Sequence, residues 1–309
     1  MYSKIKYFLK IVSQLLLPKL IYDLLYNFIL KINKKSFFNQ RLSKVKCGNF
    51  EILAPSNHLL INFQSTQPFR DLCIGITAKF VCEKYPNSTI IDVGANIGDT
   101  AAIIATYTKS KMILVEGSDY FFDILNLNVK KISNETVLHK AFVSDGSKLT
   151  GSLHYWGGTS FFKESNDKNS RTINSVRLCE IADGQTTFVK IDTDGYDFKI
   201  LLDSIDWLSN STPAILFENS VRNLEDFVNS QQLFSKLRQI GYQYFIIWDD
   251  AGYHIVSTKS LEVISDLNSY LLKIWNGNGH KSIYNYDILC LHSKDEDIHN
   301  YVNEWYKNY

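Results

Sequence analysis

The run Ile90-Ile91-Asp92-Val93-Gly94-Ala95-Asn96-Ile97-Gly98-Asp99-Thr100 joins a short apolar, β-branched strand to a glycine-containing turn and the polar start of a helix. Gly94 and Gly98 let backbone approach a ligand without a Cβ in the way. The helix that follows offers free N–H groups and a partial positive charge to an anion. Around this run the chain alternates. Strands are predicted over 89–93, 112–116 and 136–143, and helices over 99–107 and 119–131, the latter begun by Ser118 as N-cap. Farther on come strands over 187–192 and 214–218, with a short helix over 198–203 between them. A helix over 224–240 closes at Gly241, and late strands over 242–248, 253–256 and 288–292 surround a helix over 261–275. The segment 152–162 reads as irregular or as a hairpin turning at Gly157-Gly158. This alternation predicts an α/β fold, a mostly parallel sheet covered by helices on both faces.

Ahead of the alternating region, short strands are expected over 44–53 and 59–63 around turn residues at Gly48-Asn49 and Pro55-Ser56-Asn57. A helix follows through Phe69, Leu72, Cys73, Ile76 and Phe80, stopping near Tyr85-Pro86-Asn87. The predicted organisation is an amphipathic helical segment over 1–35, strands and a helix packed on the core over 36–86, the main domain over 87–293, and a C-terminal helix over 294–309. In the first segment Leu20, Ile21, Leu24, Leu25, Phe28, Ile29 and Ile32 share one helical face after Pro18, and seven lysines flank it. Polar residues cut its apolar runs well short of the roughly 18–20 clean residues of a spanning helix. The segment reads either as a helix on an anionic membrane surface or as one packed on its own domain or a partner.

Composition narrows the function classes. The chain has 309 residues, 45% hydrophobic and 21% charged, with a net charge of +1, so no global field argues for nucleic acid. Cys47, Cys73, Cys82, Cys179 and Cys290 are odd in number and scattered, the pattern of reduced thiols in a cytoplasmic protein rather than of a disulfide framework or zinc site.

The glycine loop carries the chemistry. A dinucleotide loop reads G-x-G-x-x-G over a pyrophosphate; here it is Gly94-x-x-x-Gly98, with Asp92 just before it. An acid there repels phosphates and suits an ammonium or sulfonium group. S-adenosylmethionine has both, and a carboxylate for the helix end. Glu116 ends the next strand, where an acid accepts hydrogen bonds from ribose hydroxyls. Ser144-Asp145, after the third strand, is placed to reach an adenine edge or to form a plain turn.

These motifs, with Val115-Glu116, Val189-Lys190-Ile191-Asp192-Thr193-Asp194-Gly195-Tyr196-Asp197 and Ile215-Leu216-Phe217-Glu218, resemble those of the FkbM-type S-adenosylmethionine-dependent methyltransferases over about 45–291. The resemblance implies a Rossmann-like class I methyltransferase fold, a seven-stranded sheet with an N-terminal helical/β extension. The cofactor-binding set it and the loop suggest is Asp92, Gly94, Ala95, Asn96, Gly98, Asp99, Thr100, Glu116, Gly117, Ser144, Asp145 and Asp192. Many members have Pro at the position of Gly117 and Glu at that of Asp194, departures that bear on substrate preference.

Lys190–Asp197 ends a strand at the sheet edge where ligands bind. Methylating an alcohol needs the nucleophile held in line and a base within reach of its proton. Asp192 is the first candidate and Asp194 the second, with Lys190 neutralising the cluster or orienting substrate and Glu218 on the next strand for substrate hydroxyls. Asp194 and Asp197 have an alternative role as caps of the helix after them. Asp192, Asp194 and Glu218 are oxygen ligands that Mg²⁺ accepts, but no spacing demands a metal. The histidines form no metal-binding pattern; His154 lies in an aromatic, glycine-containing segment that could stack on a sugar. The reading is an O-methyltransferase for a sugar hydroxyl of a surface polysaccharide or other glycan, in the cytoplasm or at the inner face of the membrane. Its rivals are an NAD-dependent oxidoreductase and a catalytically silent scaffold of a glycan-assembly complex.

Overall fold

The computed structural model describes residues 40–165, 170–277 and 283–308. The amphipathic segment expected over 1–35 lies outside them. A hairpin of β1 (Leu42–Cys47) and β2 (Phe50–Pro55) opens the described chain, followed by helices α1 (Leu60–Thr66) and α2 (Leu72–Lys84). Gly48, at φ +54°, makes the turn between β1 and β2, at the Gly48-Asn49 turn signal the sequence places within 44–53. The strand expected over 59–63 is instead helix α1, because a short apolar run has no period that separates strand from helix.

The alternating region runs β3 (Thr89–Val93), α3 (Asp99–Tyr107), β4 (Lys111–Val115), α4 (Asp119–Asn128) and β5 (Thr136–His139). Ser118 caps α4, its hydroxyl accepting from the Phe121 N–H at 3.4 Å. The expected strand over 136–143 is split between two sheets. After β5, β6 (Phe142–Val143) pairs with β9 (Arg171–Val176) in a small sheet completed by the hairpin of β7 (Lys148–Trp156) and β8 (Thr159–Glu164), in the order β6-β9-β7-β8. The turn of that hairpin is Gly157-Gly158, as the sequence predicts. Short helix α5 (Leu178–Ile181) leads back into β10 (Thr186–Ile191), then α6 (Asp197–Asp203), α7 (Ile205–Ser211), β11 (Ala214–Asn219), α8 (Leu224–Gln239), β12 (Tyr242–Asp249), β13 (His254–Thr258), α9 (Leu261–Asn276), β14 (Tyr286–His292) and α10 (Glu296–Lys307).

The main sheet has eight strands rather than seven, ordered β13-β12-β14-β11-β10-β3-β4-β5. Strands β11, β10, β3, β4 and β5 are parallel, β14 runs antiparallel between β11 and β12, and β13 adds an antiparallel edge to β12. Alternate side chains feed two apolar layers. Ile90, Met112, Leu114, Phe188, Leu216 and Leu289 pack with α2, α3, α4 and α10; Ile91, Ile113, Val189, Ile215 and Phe217 pack with α6, α8 and α9. The strands are apolar on both sides, as a doubly covered parallel sheet requires. Where that pattern fails, on β3 and β10, the buried positions are Asp92 and Lys190, paired in register.

Candidate active site

At the C-terminal ends of β3, β4, β10 and β11 lies a cavity of about 300 Å³. Its floor is the glycine loop. Gly94 sits at φ +81°, and a Cβ there would meet the Asp192 carbonyl oxygen at 1.8 Å, so only glycine lets β3 and β10 converge. Asn96, at φ +48°, donates its backbone N–H to Glu116 Oε2 at 2.9 Å and its side-chain amide to the Gly158 carbonyl at 2.9 Å. The β7–β8 turn is thereby fastened over the loop. Leu59 N–H donates to the Gly157 carbonyl at 3.0 Å, and a Cβ on Gly158 would strike the His58 ring at 2.8 Å, so the α1 segment closes the same side.

Glu116 is buried at the end of β4, its Oε1 taking the Ser118 N–H at 2.7 Å. Burial raises its pKa to about 7 against the partial offset of the two N–H bonds. Each oxygen keeps a lone pair for a hydroxyl. Beneath the loop, Lys190 Nζ lies 3.1 Å from Asp92 Oδ1 and 3.6 Å from Asp192 Oδ2, and Thr100 hydroxyl donates to Asp92 Oδ2. Burial opposes the Lys190 charge, but Asp92 and Asp192 outweigh it and hold the lysine protonated. Asp92 is 0% exposed and spent on Lys190, so it does not face a ligand as the sequence reading expects; it fixes the loop from below.

Of the other candidates, Gly94, Asn96, Asp99, Thr100, Glu116, Gly117, Lys190, Asp192, Asp194 and Glu218 line the cavity. Ala95 is buried in the core, and Gly98 faces Leu125 of α4, where a Cβ would come within 2.8 Å. Gly117 makes room for the Phe142 ring, which a Cβ would meet at 2.7 Å. Ser144 is buried outside the lining, and Asp145 is exposed, its Oδ1 accepting from the Ser147 N–H at 2.9 Å. The adenine-edge role is not supported by that placement; Asp145 is a turn residue.

The catalytic candidates gather at one edge. Asp192 is 45% exposed and Glu218 14% exposed. Burial, then Asp192, raises Asp194 to about 6; burial, then Asp192 and Asp194, takes Glu218 well above the carboxylate range. Thr159 hydroxyl donates to Asp194 Oδ2, and Arg222 Nη2 stands 3.6 Å from Glu218. Asp194 itself occupies φ +57°, a strained turn of the kind that clusters at functional sites. Asp197 turns inward to accept from the Thr193 and Gly195 N–H groups, both at 3.2 Å, and is an anchor of that turn, not a side-chain cap of α6. Among the described residues no group of three or more His, Cys, Asp or Glu is arranged to hold a metal ion.

His58, Phe63, Arg70 and Asp71 also line the cavity. No motif marks them, since they come from the segment before the glycine loop and reach the site only through folding. Arg70 lies over the Phe63 ring at 4.1 Å and donates to the Asp250 carbonyl at 2.7 Å.

Residues 92–244 match the model of the Methyltransferase FkbM domain. The chain carries an FkbM-type methyltransferase domain. It is thus an S-adenosylmethionine-dependent methyltransferase, and the NAD-dependent alternative falls away. No curated protein matches the chain in sequence. Among solved structures, the FkbM methyltransferase from Methylobacillus flagellatus KT is 13% identical, over 52% of this chain and 40% of that one, at a TM-score of 0.31. Precorrin-6y C5,15-methyltransferase from Geobacter metallireducens GS-15 is 13% identical over 70% and 86% (TM-score 0.34). The plantazolicin methyltransferase BpumL in complex with SAH is 11% identical over 75% and 88% (TM-score 0.37). Among the described residues no helix is long and apolar enough to cross a membrane.

Proposed function

We propose that this FkbM methyltransferase is an O-methyltransferase acting on a sugar hydroxyl of a surface polysaccharide or other glycan. The observation that supports this best is the convergence of Asp192, Asp194 and Glu218 on the cavity that Gly94 and Glu116 also line. S-adenosylmethionine, when bound, supplies an electrophilic methyl group. The residues present fit it: Glu116 offers two oxygens for a vicinal diol, and Gly94 carries no Cβ at the cavity floor, where one would strike the Asp192 carbonyl oxygen.

In this reading Glu116 holds ribose hydroxyls, and Gly94, Asn96, Asp99 and Thr100 shape the donor crevice. Asp192, with 45% of its side chain exposed, faces the acceptor and takes the proton of its hydroxyl. Asp194, with its pKa near 6, is the second base candidate and stays largely ionised at neutral pH. Lys190 holds Asp92 and Asp192 in place and has no proton to give, because its pKa is raised. Residues 1–35 meet an anionic membrane surface, which would bring the domain to lipid-linked acceptors at its inner face.

Incubation with methyl-labelled donor and a glycan fraction of the source organism tests the acceptor. Label in alkali-stable methyl ethers is expected and should vanish in Asp192→Asn while S-adenosylhomocysteine still binds. Donor binding with no glycan labelling by the intact protein would refute the acceptor class. Loss of liposome binding after deletion of residues 1–32 is the matching test of the membrane contact.

A further inference from the structure

Behind one wall of the donor cavity lies a second cavity of about 220 Å³. Phe162, Asp194, Tyr196 and Glu218 border both. Its far side is formed by Phe161 and Lys163 of β8 and by Arg222 and Asn223 ahead of α8. The glycine loop and Glu116 belong only to the first cavity, so Asp194 and Glu218 present one face to the donor side and another to this second space.

The first cavity is at the small end of the roughly 300–1,000 Å³ range that holds a whole drug-sized ligand. A nucleoside donor fills it, and an acceptor needs a space of its own that still touches the reacting edge. The second cavity meets that requirement when the acceptor ring sits in it and the reacting hydroxyl passes Asp194 and Glu218, which border both spaces, to reach Asp192, which lines only the first. We propose that it is the acceptor site and that it takes a neutral sugar unit, an inference that rests on the sugar-hydroxyl reading above.

Its chemistry selects that class. Phe161 is held flat, stacked on the His154 ring at a 5.3 Å centroid distance and 15° between planes, and Tyr196 is fixed by its hydroxyl donating to Glu164 at 2.9 Å. Rigid aromatic faces beside hydrogen-bonding groups suit the apolar face and hydroxyl rim of a sugar ring. Arg222 does not provide an anion site. Its Nε donates to Ser220 Oγ at 2.9 Å, its Nη1 to the Asp194 carbonyl at 3.4 Å, and its Nη2 pairs with Glu218. Asp194 and Asp226 line this cavity opposite Lys163 and Arg222 and offset their charges, while burial keeps Glu218 protonated, so no net positive charge recruits an acidic acceptor.

The test uses the full chain, methyl-labelled donor, and neutral and acidic glycan fractions of the source organism separated by anion exchange. Wild-type label is expected in the neutral fraction. Phe161→Ala, which removes the aromatic face, and Lys163→Trp, which crowds the exposed rim, should each raise the acceptor KM roughly five- to tenfold. Binding of S-adenosylhomocysteine should stay within twofold, and Phe161→Tyr should restore the KM. Retained binding also certifies the fold of each variant. Labelling with an unchanged acceptor KM in both variants overturns the acceptor site and leaves the methyltransferase reading standing. Label confined to the acidic fraction overturns the neutral-sugar assignment. Failure of the wild type to label either fraction removes the sugar reading and this inference with it.

Discussion

Replacing Lys190 with methionine isolates what the buried lysine does. Its side chain is 3% exposed and its closest carboxylate, Asp92, is 0% exposed at 3.1 Å. An exposed pair of that length is worth about 0–1 kcal/mol. Here both charges are out of water, so the attraction is poorly screened and removal of one partner strands the other; the cost of that is about 3–5 kcal/mol. Methionine fills most of the lysine's volume, so little of the loss comes from a cavity. Asp92 keeps only the Thr100 hydroxyl as a partner, too little to offset an uncompensated buried charge. With a urea m-value of about 3 kcal/mol per molar, the unfolding midpoint should fall by roughly 1–2 M. Adding Asp92→Asn to Lys190→Met removes the stranded charge and should recover most of the loss. A midpoint within about 0.3 M of wild type in the single variant, or a double variant no more stable than the single, would refute the counter-ion role and return Lys190 to the acceptor side of the site.

Three further outcomes follow from the geometry. Glu116→Gln places an amide NH₂ against either the Asn96 or the Ser118 N–H, so the affinity for S-adenosylhomocysteine measured by calorimetry should drop roughly ten- to a hundredfold; an unchanged Kd would show that Glu116 does not hold the nucleoside. Gly94→Ala puts a methyl group 1.8 Å from the Asp192 carbonyl oxygen at a left-handed φ, so it should abolish that binding and lower the melting temperature, and wild-type values for both would contradict the convergence of β3 and β10. The ligand-free protein should lose stability as the pH rises from 5 to 8. Burial raises the folded-state pKa of Asp71 to about 6, Glu116 to about 7 and Asp287 to about 8. The folded state therefore binds more protons than the unfolded chain in that window, and the stabilisation is lost as each group ionises. A melting temperature that climbs over the same range in a thermal scan would contradict this.

Much of the main sheet was legible because period and punctuation agree there. Ile90-Ile91 before Gly94, Ser118 before α4 and Gly241 after α8 mark strand, cap and stop by local chemistry alone. The errors fall where tertiary pairing decides. Val137 and Val143 belong to one apolar stretch, yet β5 joins β4 in the main sheet and β6 joins β9 in the small one. Leu60–Phe63 is too short for its period to separate strand from helix. Strand β13 was legible as the late strand over 253–256; the count of seven came from the resemblance, and this antiparallel edge strand brings the sheet to eight. At the site, the glycine loop, Glu116 and the Asp192–Asp194 turn carry their own signal. The partner of Asp92 does not: pairing with Lys190 is a matter of register between β3 and β10. His58, Arg70 and Asp71 are likewise brought in from a segment that no motif links to the loop.

Diffraction from crystals grown with S-adenosylhomocysteine bears most directly on the donor crevice. The expected map has the nucleoside between Gly94 and Glu116, its ribose hydroxyls on the Glu116 carboxylate and its sulfur turned toward Asp192. Density for the ligand elsewhere, or side chains filling the space above Gly94 with Glu116 out of reach, would contradict the assignment of this cavity to the methyl donor.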